Sequence, residues 1–296
     1  MRVGFWGIGR MGVPMATNIH RAGFDLVVGN RTPERCAPLE ELGAEVEASS
    51  PAALARGVDV VITALADGPA ALEVYLGPEG ILAGIGEGAV VMDMSTIGPS
   101  CWKRIAAAAR ECGAVPLDAP VTGSIPAAQS ATLVAMVGGD REAFERVRPL
   151  LASMSRDQFF LGAEGSGAAM KLAINNIIGA TNLALSEALV LAERSGIARE
   201  DAYEVVLNSA ITSPFMQYKQ EAFLDPDGAE AFFSTKLLQK DIRLALELGR
   251  ELTVPMFGAG AVHEAFNLAV GLGYGDQDVN RMADALRDVS GADDRR

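Results

Sequence analysis

Cysteine, histidine and aromatic residues are scarce in this 296-residue chain, which has three cysteines, two histidines and 6% aromatic side chains. Cys36, Cys101 and Cys112 form no CxxC pair and leave one thiol over in any disulfide scheme. A disulfide scaffold is thereby excluded, and a reducing, cytoplasmic setting is expected. His20 and His263 are too few for a histidine-based metal site, and no metal is expected. Positive charge is short as well, with 25 Lys and Arg against 38 Asp and Glu for a net charge of −13. Such a chain repels phosphate backbones at long range, which argues against a nucleic-acid partner but leaves room for a small anion at a local basic site. The longest apolar stretch, 172–186, is broken by Asn175, Asn176 and Asn182 and falls short of a membrane span. Met1-Arg2-Val3-Gly4-Phe5-Trp6-Gly7, with Arg10 close behind, has no apolar core of a signal peptide, so no membrane is expected as a partner.

Hydrophobic residues, at 49% against 21% charged, are ample for a folded core, and the length suits two domains. Over 1–162, short β-branched or apolar runs alternate with helical stretches, the pattern of a parallel sheet with crossover helices. Strands are expected at 2–6, 25–29, 58–65, 89–94, 115–119, 132–137 and 158–161, and helices at 12–22, 69–75, 99–112 and 141–154. Beyond Gly162 no strand is expected. A helix opening at Gly165-Ser166-Gly167 can run to about Arg194, and further helices fit 198–207, 215–223, 235–251, 255–272 and 277–289. The fold class is therefore α/β, with an N-terminal domain at 1–162 and an all-α domain at 163–296 led by a long interdomain helix. That helix is apolar nearly all round, through Ala173, Ile174, Ile177, Ile178, Leu183, Leu185, Leu189 and Leu191, so burial on several sides is expected, with a homodimer or homotetramer interface as one means. The charged tail 293–296 is expected to fray.

Gly7-Ile8-Gly9-Arg10-Met11-Gly12 is a GxGxxG placed directly after the first strand and opening a helix, the context in which the pattern is specific for a Rossmann-type dinucleotide loop. The three glycines serve the tight turn, backbone approach to a pyrophosphate, and close packing of helix on strand. At the end of the second strand, where NAD-binding versions carry an acidic residue for the ribose, stands Asn30-Arg31-Thr32. A carboxylate there would repel a 2′-phosphate by about 4 kcal/mol at a 4 Å separation and an effective dielectric near 20. Asn30 removes that charge and Arg31 can pair with the phosphate, so NADP is expected, with NAD possible. The alternative is a solvated arginine in a polar turn.

Gly4 to Asn18, read as one segment, resembles the N-terminal signature of the β-hydroxyacid dehydrogenases, the family of 3-hydroxyisobutyrate dehydrogenase. Four more motifs follow in order. Asp93-Met94-Ser95-Thr96-Ile97-Gly98-Pro99 is similar to the family's DxSTxxP, Asp118-Ala119-Pro120-Val121-Thr122-Gly123 to its DAPVSG, Gly165-Ser166-Gly167 with Lys171 and Asn175 to its GxGxxxKxxxN, and Lys240-Asp241 to its KD pair. The resemblance implies hydride transfer between a nicotinamide cofactor and a short β-hydroxyacid or its semialdehyde, with Lys171 as the acid/base. It also implies cofactor contacts from Leu65, Ala66, Thr96 and Lys240.

The residues are compatible with that chemistry. An ammonium at the carbonyl oxygen both polarises the C=O and supplies the proton, and burial beside a cationic Lys240 is expected to lower the Lys171 pKa. Asn175 lies one helical turn on, on the same face, where its amide can bond the ammonium or the substrate hydroxyl. Ser95, Thr122, Gly123, Ser124 and Lys240 are the expected holders of a substrate carboxylate, while Asp93 and Asp118 are expected to cap loops. The substrate loop departs from the family at Thr122 and Ser124. The leading expectation is an NADP-dependent semialdehyde or glyoxylate reductase. The alternatives are an NAD-dependent 3-hydroxyisobutyrate-type dehydrogenase and a non-catalytic cofactor-sensing or scaffold protein.

Overall fold

Among the described residues nine strands and thirteen α-helices form, because short apolar runs alternate with helical stretches up to about 162 and helical spacing prevails beyond it. The computed structural model describes residues 1–291, so the tail 293–296 lies outside the described residues. Two compact units result, Met1–Leu172 and the segment from Ala173 onward. The division falls ten residues beyond the expected 162, because the first turns of the long helix are tied to the sheet, as described below.

The first unit runs β1 (Arg2–Trp6), α1 (Gly12–Arg21), β2 (Asp25–Gly29), α2 (Ala37–Glu40), β3 (Glu45–Val46), α3 (Pro51–Ala55), β4 (Val60–Thr63), α4 (Gly68–Leu76), β5 (Val90–Asp93), α5 (Pro99–Glu111), β6 (Val115–Asp118), β7 (Val121–Thr122), α6 (Ile125–Gln129), β8 (Leu133–Gly139), α7 (Arg141–Ala152) and β9 (Ser155–Gly162). Strand order is β3-β2-β1-β4-β5-β6-β8-β7, with β9 paired to β8. Alternate residues face opposite ways, so Val3, Phe5, Val60, Ile62, Val90 and Met92 build one core while Trp6, Val61 and Val91 join Trp102 and Tyr75 in another. The sheet is parallel from β3 to β6 and then reverses, β8 running antiparallel to β6. The expected parallel sheet is present and becomes mixed at this edge, because between β6 and β8 the chain makes only β7 and the five-residue α6, not a full crossover helix. Strand β1 lies between β2 and β4, so the chain leaves it in opposite directions and opens a crevice at the strands' C-terminal ends.

The second unit is helical: the remainder of α8 (Ser166–Arg194), then α9 (Arg199–Leu207), α10 (Pro214–Leu224), α11 (Thr235–Glu251), α12 (Phe257–Ala269) and α13 (Met282–Val289). Helix α8 buries Leu185 and Leu189 but leaves Ile177 63% and Leu191 69% exposed. Burial on several sides is thus not achieved within the chain. By length and composition α8 is long and apolar enough to cross a membrane, contrary to the expectation drawn from its asparagines. Asn182 Nδ2 donates to the Val279 carbonyl at 2.8 Å and the Ser186 hydroxyl to the Asn182 carbonyl at 2.7 Å, while Oδ1 of Asn175, Asn176 and Asn182 is buried with no hydrogen-bond partner among the described residues. Lys219 on α10 is buried and donates to both carboxylate oxygens of Asp278, at 2.6 and 2.7 Å. Asp278 also accepts the amides of Phe232 and Phe233, fixing the approach to α11.

Candidate active site

Glycine shapes the turn after β1 in three different ways. Gly7 has φ +110, and a Cβ there would lie 2.4 Å from the Ala64 carbonyl oxygen. At Gly12 a Cβ would lie 2.2 Å from the Gly7 carbonyl oxygen, so α1 can start this close to the turn only with glycine. Around Gly9, by contrast, a Cβ would meet nothing within 4 Å, and the loop is open there to a pyrophosphate. Helix α1 has no acidic residue in its first turn and no side-chain cap, which favours an anion at its N-terminus. These residues fit a dinucleotide. Ile8 can contribute through its backbone only, because its side chain is fully buried, and Met11 packs at the edge of the same core. Arg10 is exposed. At the end of β2, Asn30 Nδ2 donates to the Thr32 carbonyl at 2.9 Å, closing a turn on which Arg31 and Thr32 are exposed.

Beside the glycine turn, β4 and β5 end on a buried polar network. Asp93 Oδ1 accepts the Thr63 hydroxyl at 2.6 Å and the Ser95 hydroxyl at 2.7 Å. Thr63 is 2.8 Å from the Tyr75 hydroxyl, which must donate since the Thr63 proton goes to Asp93. Ser95 in turn accepts the Leu65 amide at 2.8 Å. Ser95, expected to hold substrate, is 4% exposed, and its hydroxyl ties two loops together. Burial pushes the Asp93 carboxyl up to about 6, against the lowering effect of its Thr63 and Ser95 hydrogen bonds, and Asp118 adds to the rise. Leu65 and Thr96 are half-buried and Ala66 is exposed at the ends of these strands.

Asp118, at the end of β6, anchors the start of α8. Its two oxygens accept the Gly165 and Ala168 amides, each at 2.8 Å. Burial raises its carboxyl above the ordinary range, and the amide hydrogen bonds oppose that rise. The approach is close, since a Cβ on Gly167 would stand 2.2 Å from the Met136 carbonyl oxygen. Gly165-Ser166-Gly167 is thus the contact by which α8 docks on the sheet, and it fixes the helix that carries Lys171, which is half-buried. In the substrate loop, Thr122 is half-buried in β7 opposite Val134, Gly123 is exposed with φ +123, and Ser124 precedes α6. Asn18 of α1 donates to the Ala128 carbonyl at 2.7 Å and ties α6 to the glycine-loop helix.

In the second unit, Asn175 Nδ2 donates to Asp241 Oδ2 at 2.6 Å, and Lys240 Nζ lies 3.1 Å from Asp241 Oδ1. One of the two N–H donors of the Asn175 amide is therefore committed to Asp241. Its Oδ1 is buried with no hydrogen-bond partner among the described residues. The carboxylate that gathers Asn175 and Lys240 was not among the expected site residues. A signal for it exists: on α11 the buried residues Leu238, Asp241, Ile242 and Ala245 fall at helical spacing, and a carboxylate at a core position of such a stripe calls for a partner. Asn18 carries no comparable signal, because its partner lies 110 residues away.

Residues 2–162 match a family model described as the NAD binding domain of 6-phosphogluconate dehydrogenase, and residues 165–286 one described as the NAD-binding domain of NADP-dependent 3-hydroxyisobutyrate dehydrogenase. Glyoxylate/succinic semialdehyde reductase 1 of Arabidopsis thaliana is 37% identical over 287 residues, 97% of this chain and 99% of that protein. Among solved structures, 3-hydroxyisobutyrate dehydrogenase from Salmonella typhimurium superimposes with a TM-score of 0.88 at 27% identity, over 96% of this chain and 99% of the other. Psf3 in complex with NADP+ and 2-OPP gives a TM-score of 0.87 at 25% identity, over 96% and 99%. A nucleotide loop, a lysine-bearing helix docked on the sheet and an all-helical second unit define an NAD(P)-dependent dehydrogenase of hydroxyacids. The chain belongs to the β-hydroxyacid dehydrogenase family.

Proposed function

We propose that this protein reduces short aldehydes bearing a carboxylate, of the succinic semialdehyde, glyoxylate or methylmalonate semialdehyde type, with NADPH and with Lys171 as acid and base. The observation that carries the reading is the docking of α8, whose first turn is held by both oxygens of Asp118 and whose second presents Lys171. Bound at the glycine loop, the nicotinamide cofactor supplies the hydride. Lys171 Nζ polarises the carbonyl and gives its proton to the oxygen as this becomes a hydroxyl, and it takes the proton back in oxidation. Asn175, its Nδ2 held by Asp241, has Oδ1 left to orient the ammonium or the substrate hydroxyl. Thr122 and the amides around Gly123 and Ser124 hold the substrate carboxylate. Similarity to a glyoxylate/succinic semialdehyde reductase over nearly the whole chain supports this substrate class.

Preference for NADP rests on the exposed Arg31 and on the lack of a carboxylate at 30–32. An assembly of identical subunits is proposed to cover the exposed Ile177 and Leu191 on α8, and three free cysteines favour a reducing, cytoplasmic compartment. A second reading, oxidation of 3-hydroxyisobutyrate with NAD, is favoured by the backbone match to a 3-hydroxyisobutyrate dehydrogenase. Steady-state kinetics with succinic semialdehyde, glyoxylate, 3-hydroxyisobutyrate and butanal, each with both cofactors, separates the two. The expected result is a kcat/KM at least about tenfold higher for the best carboxylated aldehyde than for butanal, since one charge-assisted contact contributes roughly 1.5 to 3 kcal/mol. NADPH is expected to exceed NADH by about tenfold, a margin that Arg31→Ala removes. Butanal turned over as well as the best carboxylated aldehyde would refute the substrate class.

A further inference from the structure

At the C-terminal ends of β4 and β5, Thr63 and Asp93 are register partners, and the sheet ladder stops with them. Leu65, two residues on, has left the strand, and its amide finds its acceptor in the Ser95 hydroxyl of the neighbouring loop at 2.8 Å. With its own proton drawn to Asp93 at 2.7 Å, the Ser95 oxygen is turned to present a lone pair to that amide. A carboxylate sets these directions without ambiguity, since it has no proton to offer and both Thr63 and Ser95 must donate to it. The tie continues beyond Leu65. Ala64 is the backbone against which Gly7 rests, so close that a Cβ on Gly7 would fall 2.4 Å from the Ala64 oxygen and 3.2 Å from its nitrogen. A line of contacts therefore runs from Asp93 through Ser95, Leu65 and Ala64 to the first glycine of the nucleotide loop, all within the first unit.

Resting on the dinucleotide reading above, we propose that Asp93 and Ser95 are positioning residues for the cofactor: they fix the loop after β4 as the wall on which the glycine turn is shaped. Neither touches the ligand. Both are buried, Asp93 at 1% and Ser95 at 4% exposure, and act through the Leu65 amide and the Ala64 backbone. The arrangement works in the ionised state of Asp93, because a protonated carboxyl competes for the hydroxyls as a donor. The groups facing Asp93 are Tyr75 of α4 through Thr63, Cys101 of α5 and Asp118 of β6, none of them a cation. With burial holding the carboxyl near 6, cofactor affinity should weaken as pH falls through that value.

The test is a fluorescence titration of NADPH into wild type, Ser95→Ala and Asp93→Asn between pH 5 and 8, with kcat at saturating NADPH and hydrogen exchange of the Leu65 amide in the free protein. Ser95→Ala is expected to raise the NADPH Kd at least about tenfold while kcat falls less than about threefold, and to lose Leu65 protection without ligand. Asp93→Asn should flatten the wild-type pH dependence of Kd. If Asp93→Asn fails to fold, Ser95→Ala decides, since it leaves Asp93 paired with Thr63. A Kd within twofold of wild type in Ser95→Ala overturns the proposal, as does a loss confined to kcat, which would return Ser95 to the substrate. Wild type that binds neither NADPH nor NADH would refute the dinucleotide reading itself, and the proposal with it.

Discussion

Replacing Asp118 by alanine removes the two acceptors that hold the start of α8, and the structure sets the size of the effect. The lost bonds run from the Gly165 and Ala168 amides at 2.8 Å to an ionised group, and both donors are buried. Hydrogen bonds to charged groups contribute roughly 1.5 to 3 kcal/mol each, but burial already penalises the Asp118 carboxylate, so a net destabilisation of about 2 to 4 kcal/mol is expected. Asp118→Asn keeps one acceptor and turns an NH2 toward the other amide, so about half that loss should remain. The functional consequence follows from chain geometry. Lys171 lies on the second turn of a helix whose first turn would be released, so kcat should fall by about tenfold or more in Asp118→Ala while NADPH affinity, set at the other side of the sheet order, moves less than about threefold. Urea unfolding, NADPH titration and steady-state kinetics on the same samples measure the three quantities. An Asp118→Ala protein that unfolds within 1 kcal/mol of wild type and retains its kcat would refute the anchoring argument.

Lys171→Met should lower kcat at least about a hundredfold with little change in NADPH Kd, checked by kinetics beside fluorescence titration. Lys219→Met leaves Asp278 buried and uncompensated and should cost about 3 to 5 kcal/mol in urea unfolding, a loss largely restored when Asp278→Asn is added. Asn18→Ala removes the tie to the Ala128 carbonyl, worth about 1 kcal/mol, and should raise the aldehyde KM about fivefold with a smaller effect on kcat. The Asp93 carboxyl is raised in the folded state from 3.8 to about 6, so its stabilising contribution is present below the unfolded value and lost as pH rises through the folded one. Asp93→Asn should therefore gain on wild type by about 3 kcal/mol between pH 4 and 8, measured by urea unfolding at both ends.

Much of this architecture is legible in the residue order. β1 and β2 fall on the expected residues because each is a short apolar run ended by glycine, and α11 does so because its apolar residues keep helical spacing. Two-residue strands such as β3 and β7 leave no periodic trace, and the reversal of β8 depends on what the preceding segment fails to form. The helix expected at 255–272 gives way at Val270 to a wider turn in which Gly273 has φ +96. At the site, the glycine loop, Lys171 and Lys240 can be picked out by residue type. The partners of Ser95, Asn175 and Asn18 cannot, since each hydrogen bond joins segments 30, 66 or 110 residues apart.

Asp93 and Asp118 face each other in the register of β5 and β6, so two buried carboxylates stand side by side at adjacent strand ends. Burial disfavours the charge at both positions, and Asp118 adds to the rise at Asp93. Each instead organises a neighbouring segment, Asp93 the loop after β4 and Asp118 the first turn of α8. Their negative charge is met by hydroxyls and amides inside the fold rather than presented to a ligand. That inward placement reconciles a chain of net charge −13 with an anionic cofactor and an anionic substrate. What the glycine turn offers is backbone N–H and the N-terminus of α1, with Arg31 exposed at the end of β2. The acidic excess acts at long range, where salt screens it over about 8 to 10 Å, while binding is decided by groups within hydrogen-bond reach. Asp93 thus costs the fold stability where it places a loop, while Asp118 adds stability by anchoring α8, and the stability Asp93 contributes and the cofactor affinity it supports should move in opposite directions with pH.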